Sequence, residues 1–151
     1  MRKIIVYTDG GSRGNPGPAA IGAVFCNEKG EFFKNYSEYL GENLTNNQTE
    51  YQAVISALKK FKALFGKKLS SRTEIEIRSD SELLIKQLNG AYKILDEKIQ
   101  PLFLEIWNLR LDFKKVKFKL VSREKNKEAD RLVNEVLDSQ GRQKSIDFVN
   151  Q

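Results

Sequence analysis

Asp9, Glu50, Asp80 and Asp130 are the residues on which chemistry could rest. Asp9 follows the apolar run Ile4-Ile5-Val6-Tyr7 and opens a loop with four glycines, Gly10, Gly11, Gly14 and Gly17. Asp80 ends a stretch of alternating apolar and charged residues, and Glu50 and Asp130 fall in the first turns of two predicted helices. The chain has no histidine. That removes Ser-His-Asp and Cys-His nucleophilic schemes and histidine zinc sites. Its single cysteine, Cys26, allows neither an intramolecular disulfide nor a multi-cysteine metal site. Catalysis then falls to carboxylates, hydroxyls, lysines or metal-activated water. Four carboxylates around one crevice repel one another and call for cations, and oxygen-only ligands select Mg²⁺ or Mn²⁺ over zinc. Two such ions about 3.5–4 Å apart clamp the attacking and leaving oxygens of a phosphodiester displacement. The chemistry this set predicts is hydrolysis of a nucleic-acid backbone.

Each acid also has an ordinary reading. Asp9-Gly10 is turn chemistry. Glu50 could answer Asn47 in a capping pair, Asp80 could cap the helix it precedes, and Asp130 suits the positive end of a helix dipole. Singly these readings win. Together they do not, because the acids stand at element ends that topology can turn toward one crevice. The glycine loop lacks the Gly-Lys-Ser/Thr ending of a nucleotide P-loop, so it is not read as a triphosphate cradle.

The elements that must position the acids are legible in outline. Residues 3–9, 19–27 and 31–39 read as strands, the last two a hairpin about Asn27-Glu28-Lys29-Gly30. Phe32, Phe33, Tyr36 and Tyr39 suit core packing on a half-buried sheet. Thr45-x-x-Gln48 is a capping box that starts a helix with Tyr51, Val54, Ile55, Leu58, Phe61 and Phe65 at helical spacing, stopped at Gly66. Residues 73–79 form a fourth strand. Ser79-x-x-Glu82 is expected to cap a short helix over 81–89, ended by Asn89-Gly90. A helix over 97–113 tolerates Pro101 in its first turn. Val116, Phe118 and Leu120 mark a fifth strand. The last helix starts at Asn126 as N-cap and is expected to end at Gly141. The order βββαβααβα predicts an α/β fold: one five-stranded mixed sheet flanked by helices, strands 1–3 antiparallel and strands 1, 4 and 5 parallel. Residues 1–141 read as a single domain and 142–151 as its polar C-terminal tail, carrying Ile146, Phe148 and Val149.

The totals agree. A chain of 151 residues with 40% hydrophobic and 30% charged residues suits one globular domain. Its net charge of +6 favours a polyanionic partner, and residues 114–131 hold eight Lys or Arg against three acids. No apolar run reaches the roughly 20 residues of a membrane helix. Met1-Arg2-Lys3 leads straight into a strand without a signal-peptide pattern, so a cytoplasmic location is expected.

Four motifs now stand in order: Tyr7-Thr-Asp-Gly-Gly-Ser-Arg-Gly-Asn-Pro-Gly17, Thr45-Asn-Asn-Gln-Thr-Glu50, Ser79-Asp-Ser81 and Asn126-Lys-Glu-Ala-Asp130. In these the chain resembles type 1 ribonuclease H, in the ribonuclease-H-like fold family, over nearly its whole length. The resemblance implies Mg²⁺-dependent endonucleolytic cleavage of the RNA strand of RNA–DNA hybrids by a monomer, using two ions, with Mn²⁺ as an alternative. It makes Asp9, Glu50, Asp80 and Asp130 the catalytic metal ligands, with Asp9 bridging both ions and Glu50 approaching the 2′-hydroxyl. It makes Gly10 and Asn46 contacts to the RNA strand and Asn47 a contact to the DNA strand. Asn15 and Thr45 become phosphate-holding positions. Gly11, Ser81, Arg123 and Asn126 complete the implied substrate-binding set.

The chain departs from the best-studied bacterial members of that family. A mobile-loop histidine is absent, and Arg123 in a shorter loop takes its approximate place, as in the archaeal-like branch. The basic protrusion between the middle helices is missing, which leaves Lys114 to Arg131 as the expected source of grip. Glu82 stands where a DNA-contacting glutamine is common, and no separate N-terminal hybrid-binding domain is expected. Three alternatives follow: cleavage of double-stranded RNA as well as or instead of hybrids, a non-catalytic hybrid-binding module, and a structural partner domain using its basic face.

Overall fold

The computed structural model describes the backbone of residues 2–150 and side chains through Gly141. Five strands and four helices alternate as β1 (Arg2–Ser12), β2 (Gly17–Asn27), β3 (Phe32–Leu44), α1 (Asn46–Ser70), β4 (Thr73–Ser79), α2 (Glu82–Leu88), α3 (Gln100–Leu109), β5 (Lys115–Leu120) and α4 (Lys127–Asn150). Short 3₁₀ turns sit at Arg110–Asp112 and Glu124–Asn126. The strands form one sheet in the order β3-β2-β1-β4-β5. β1, β2 and β3 pair antiparallel, and β1, β4 and β5 pair parallel, as the order of elements predicted.

Alternation along β1 explains both layers. Ile4 and Val6 face one side, where Tyr51, Val54, Ile55, Leu58 and Phe61 of α1 meet them with Ile75 and Ile77 of β4. Ile5 and Tyr7 face the other side, where Ala129 and Leu132 of α4 pack with Val24 and Cys26. α4 lies over β1, β2 and β3. Beside it the same face of β4 carries Glu74, Glu76 and Arg78, which pair with one another and with Lys3 and Lys117 instead of with an apolar layer.

Several expectations change at element ends. β1 runs on past Asp9 to Ser12, because β2 keeps pairing through Ser12↔Ala19, whereas its parallel partner β4 is left behind at Tyr7↔Arg78. Thr45 caps α1 as a full capping box. Gly66, at φ 84°, breaks that helix, but a further turn follows to Ser70. The cap of α2 is Ser81, whose side chain accepts from Leu84 N; Ser79 instead accepts from Ser81 N at 3.1 Å. Asn126 directly precedes α4, as expected of its N-cap position, but it is buried in a 3₁₀ turn and its side-chain oxygen accepts no capping hydrogen bond. Gly141 does not end α4, which continues to Asn150, since a helix tolerates glycine at a cost of about 1 kcal/mol. The side chains of 142–151 lie outside the described residues. Of the β3 aromatics, Phe32 and Phe33 are exposed, as befits an edge strand, although Phe33 still meets Phe25 and Phe65.

Candidate active site

Two glycines bring the acids together. The chain at Gly10 passes so close to α1 that a Cβ there would stand 2.5 Å from the Thr49 carbonyl oxygen. This contact seats the first turn of α1, and with it Glu50, against β1. Gly22 lies opposite Asp9 on β2. A Cβ at Gly22 would stand 2.7 Å from the Ala129 carbonyl oxygen. That contact seats the first turn of α4, and with it Asp130, against the other face. Asp80 follows directly on the end of β4. The space that a side chain at Gly10 would need is therefore filled by the first turn of α1.

The result is a cleft of about 590 Å³ lined by Asp9, Gly10, Gly11, Asn46, Glu50, Asp80, Ser81, Arg123 and Asp130. These are nine of the thirteen residues that the sequence singled out. The other four stand behind the lining. Asn15 Oδ1 accepts from Asn46 N at 3.0 Å, which ties the glycine loop to α1. Thr45 is occupied as the helix cap. Asn47 Oδ1 is buried without a partner. Asn126 Nδ2 donates to Thr8 O at 2.9 Å and reaches Asp80 Oδ1 at 3.5 Å, so it ties β1 to Asp80.

Three cleft residues with polar groups were not assigned to the site from the sequence, Ser12, Arg13 and Asn134, and Glu82 also lines the cleft. Asn134 Nδ2 donates to Asp130 Oδ2 at 3.3 Å. Its place one helical turn after Asp130 was the available signal. Of the Lys and Arg residues in the basic run 114–131, only Arg123 lines the cleft. Lys117 pairs with Glu74, and Arg131 with Glu128 and Glu135.

Electrostatics separate the cleft from the rest of the surface. Burial, and then the charges of Asp80 and Asp130, a hydrogen bond with Asp130, and the charge of Glu50, push the Asp9 carboxyl up to about 8. Glu50 is raised to about 7, chiefly by burial and in part by Asp80, against a hydrogen bond from Ser81 that favours its charged form. Arg123 Nε stands 3.9 Å from Asp80 Oδ2 on a side chain that is 95% exposed, so it is a weak counter-charge.

The donor set suits a hard divalent cation. It is all oxygen, it is partly buried, and its members oppose one another until a cation neutralises them. Asn126 Oδ1 adds a buried oxygen without a partner beside Asp80. No three Asp, Glu or Cys side chains among the described residues lie close enough together to hold an ion as they stand. Holding an ion there would require the carboxylates to turn inward.

Among known proteins, the reverse transcriptase-like family matches residues 7–136. The bifunctional protein Rv2228c of Mycobacterium tuberculosis is 31% identical over 145 residues, which is 96% of this chain and 38% of that protein. Ribonuclease HI of Halobacterium salinarum is 39% identical over 136 residues, 90% of this chain and 65% of that one. This chain thus spans between about a third and two thirds of the length of these relatives. Among solved structures, LC11-RNase H1 in complex with an RNA/DNA hybrid is 44% identical, with a TM-score of 0.85 over 91% of this chain and 98% of that one. The RNase H1 of Halobacterium salinarum NRC-1 superposes with a TM-score of 0.82 at 39% identity. Among the described residues, no helix is long and apolar enough to cross a membrane.

Proposed function

Because this chain belongs to the reverse transcriptase-like family, among the type 1 ribonucleases H, we propose that it is an endoribonuclease hydrolysing the RNA strand of RNA–DNA hybrids. The observation that carries this reading is the cleft itself. Four acids on four separate elements come to one place, and Asp9 feels the charge of the other three. The family depends on divalent metal. We assign Asp9, Glu50, Asp80 and Asp130 as the ligands of two Mg²⁺ ions, with Mn²⁺ as a substitute. When bound, these ions supply positive charge at the scissile phosphate and acidity to the attacking water.

The remaining roles belong to the chain's own groups. Asn46 Oδ1 is occupied by Ser12 N at 2.9 Å, so the free end of that side chain is its amide donor. Asn15 is oriented the same way by Asn46 N. Donors on the rim suit the acceptors that a hybrid presents in its minor groove, together with the 2′-hydroxyl. Glu50, held by the Ser81 hydroxyl, is the acceptor for that 2′-hydroxyl and thereby favours RNA over DNA at the cleavage position. Arg123 reaches out as a mobile counter-charge for phosphate. The protein works as a monomer in the cytoplasm.

A cleavage assay with end-labelled hybrid, double-stranded RNA and double-stranded DNA, with Mg²⁺ and Mn²⁺ varied, tests this reading. The expected result is metal-dependent nicking of RNA in the hybrid and no product from DNA. Hybrid binding without product at any metal concentration would leave only the binding-module alternative.

A further inference from the structure

Two residues behind the carboxylates lies the last parallel rung of the sheet. β1 and β4 pair from Arg2↔Thr73 to Tyr7↔Arg78 and no further. Beyond that rung β1 carries Asp9 and the end of β4 leads into Asp80, and the charges of the two acids oppose each other. No β1–β4 ladder bond resists their separation there, α4 covers β1 but does not extend over β4 in the same way, and the bridge by Asn126 reaches Asp80 only at 3.5 Å.

The side chains of the rung supply a tie. Arg78 Nη1 donates to Tyr7 Oη at 2.8 Å. The same guanidinium lies 5.4 Å from the centre of the Tyr7 ring. Its other edge is fixed by Glu76, which accepts from Nε and pairs with Nη2, each at 2.7 Å. The Thr8 hydroxyl adds a longer contact to the Arg78 carbonyl at 3.4 Å. Neither Tyr7 nor Arg78 lines the cleft.

Stability alone does not account for this arrangement. An apolar pair of similar volume would hold two strands as well as a partly buried ion pair does, because desolvation offsets much of the Coulomb gain. What a planar, doubly anchored guanidinium adds is a fixed distance and direction. We propose that Tyr7 and Arg78 are positioning residues: their clamp sets the gap between Asp9 and Asp80 against the repulsion of the two acids, and so sets the affinity of the cleft for its cations. This inference rests on the reading of the cleft as a divalent-metal site.

The test measures metal binding directly. Mn²⁺ is titrated calorimetrically into the full chain without nucleic acid, for the wild type, Tyr7→Phe, Arg78→Met and Arg78→Lys. Thermal unfolding and hybrid cleavage against metal concentration are followed in parallel. Outer groups that orient metal ligands typically change affinity by about 10–100-fold in well-formed sites. Here Arg78→Met is expected to weaken Mn²⁺ binding by about tenfold and Tyr7→Phe, which keeps the ring, by about threefold. Arg78→Lys should fall between wild type and Arg78→Met. The half-saturating metal concentration for cleavage should rise in the same order, with the rate at saturating metal within about twofold of wild type.

A purely structural role predicts something else: a lower unfolding temperature with unchanged Mn²⁺ affinity. That result would overturn the proposal. If Arg78→Met does not fold, Tyr7→Phe decides alone, since it removes one oxygen from a partly exposed ring. If the wild type neither binds Mn²⁺ nor cleaves hybrid, the cleft reading fails and this inference falls with it. If the wild type does both and the two variants bind Mn²⁺ as it does, only this inference falls.

Discussion

Asp9 and Glu76 are partly or fully buried carboxylates on neighbouring strands, and their environments drive them in opposite directions. Burial raises both. Around Asp9 the neighbours are Asp80, Asp130 and Glu50, so the charged form becomes still less favourable and the carboxyl rises to about 8. Around Glu76 the Arg78 hydrogen bond and charge, then Lys3 and Lys119, outweigh burial and hold the carboxyl below its ordinary value. The fold answers one buried acid with cations of its own and leaves the other unanswered. Unanswered charge at the ends of strands is a cost to the folded chain, and a cation from solution removes it. Glu76 is held by cations of the chain, whereas Asp9 is left with the charge that the proposed metal ions would neutralise.

Removing the unanswered charge should have the largest effect. Asp9→Asn deletes the carboxylate that we propose both ions share, while keeping its shape. Hybrid cleavage is expected to fall by at least about 10³-fold, measured on end-labelled substrate at saturating Mg²⁺. The metal-free variant should unfold at a higher temperature than wild type, because a group that the cleft opposes is gone. Loss of cleavage together with a lower unfolding temperature would contradict the contrast drawn with Glu76.

Moving the charge is next. Gly22→Ala places a Cβ 2.7 Å from the Ala129 carbonyl oxygen and 3.0 Å from Leu132 Cβ. Backbone cannot yield there without shifting the start of α4, and with it Asp130. The expected cost is about 1–3 kcal/mol in stability and roughly tenfold in cleavage, since small displacements of catalytic groups are costly. Ala placed at Gly30, where no atom lies within 4 Å, is a control for the general effect of replacing a glycine, though its φ of +85° adds some local strain.

This glycine also marks where the sequence stopped being informative. The acids, the capping box at Thr45, strand 73–79 and the order of the sheet follow from local patterns and connection rules, and they were legible. Gly22 sits in an ordinary apolar run, and its contact is with a carbonyl more than a hundred residues away. Gly10 reads as part of a glycine loop, and nothing local to it shows that the first turn of α1 packs against it. Asn126 had the residue type of a cap, yet the turn before α4 buries it against Thr8. Glu76 and Arg78 read as the polar face of an alternating strand, and alternation does not reveal that Tyr7 lies across from Arg78 in register. What was missed depends on contacts between elements, where residue type alone leaves several partners open.

Metal-free stability should fall with rising pH across the working range. Asp9 has an ordinary value of 3.8 and a folded value of about 8, and Glu50 goes from 4.5 to about 7. A folded value above the unfolded one means that the folded chain holds protons more tightly in that interval. The stabilisation is complete below about pH 4 and is lost as pH rises toward 8. Denaturant unfolding in chelator should show a decline on the order of 5 kcal/mol between pH 5 and pH 8. Saturating Mg²⁺ should flatten or reverse that slope, since it binds the deprotonated acids.

The smallest expected effect is at the answered acid, and its sign is the sharpest check on the contrast. Glu76 lies below its ordinary value of 4.5 when folded, so its contribution is present at neutral pH and is lost only as pH falls through that lower value. Glu76→Gln removes the charge but keeps a hydrogen-bond acceptor for Arg78. It should lower stability at pH 7 by about 1 kcal/mol, in the direction opposite to Asp9→Asn, and the loss should shrink in strong acid, where the wild-type carboxyl is protonated too. Guanidinium freed from one anchor also has less reason to stay against Tyr7. A Glu76→Gln chain that unfolds like the wild type at every pH would mean that burial and cations cancel at Glu76. The sheet would then depend on its apolar face alone, and the two acids would differ only in having, or lacking, other acids beside them.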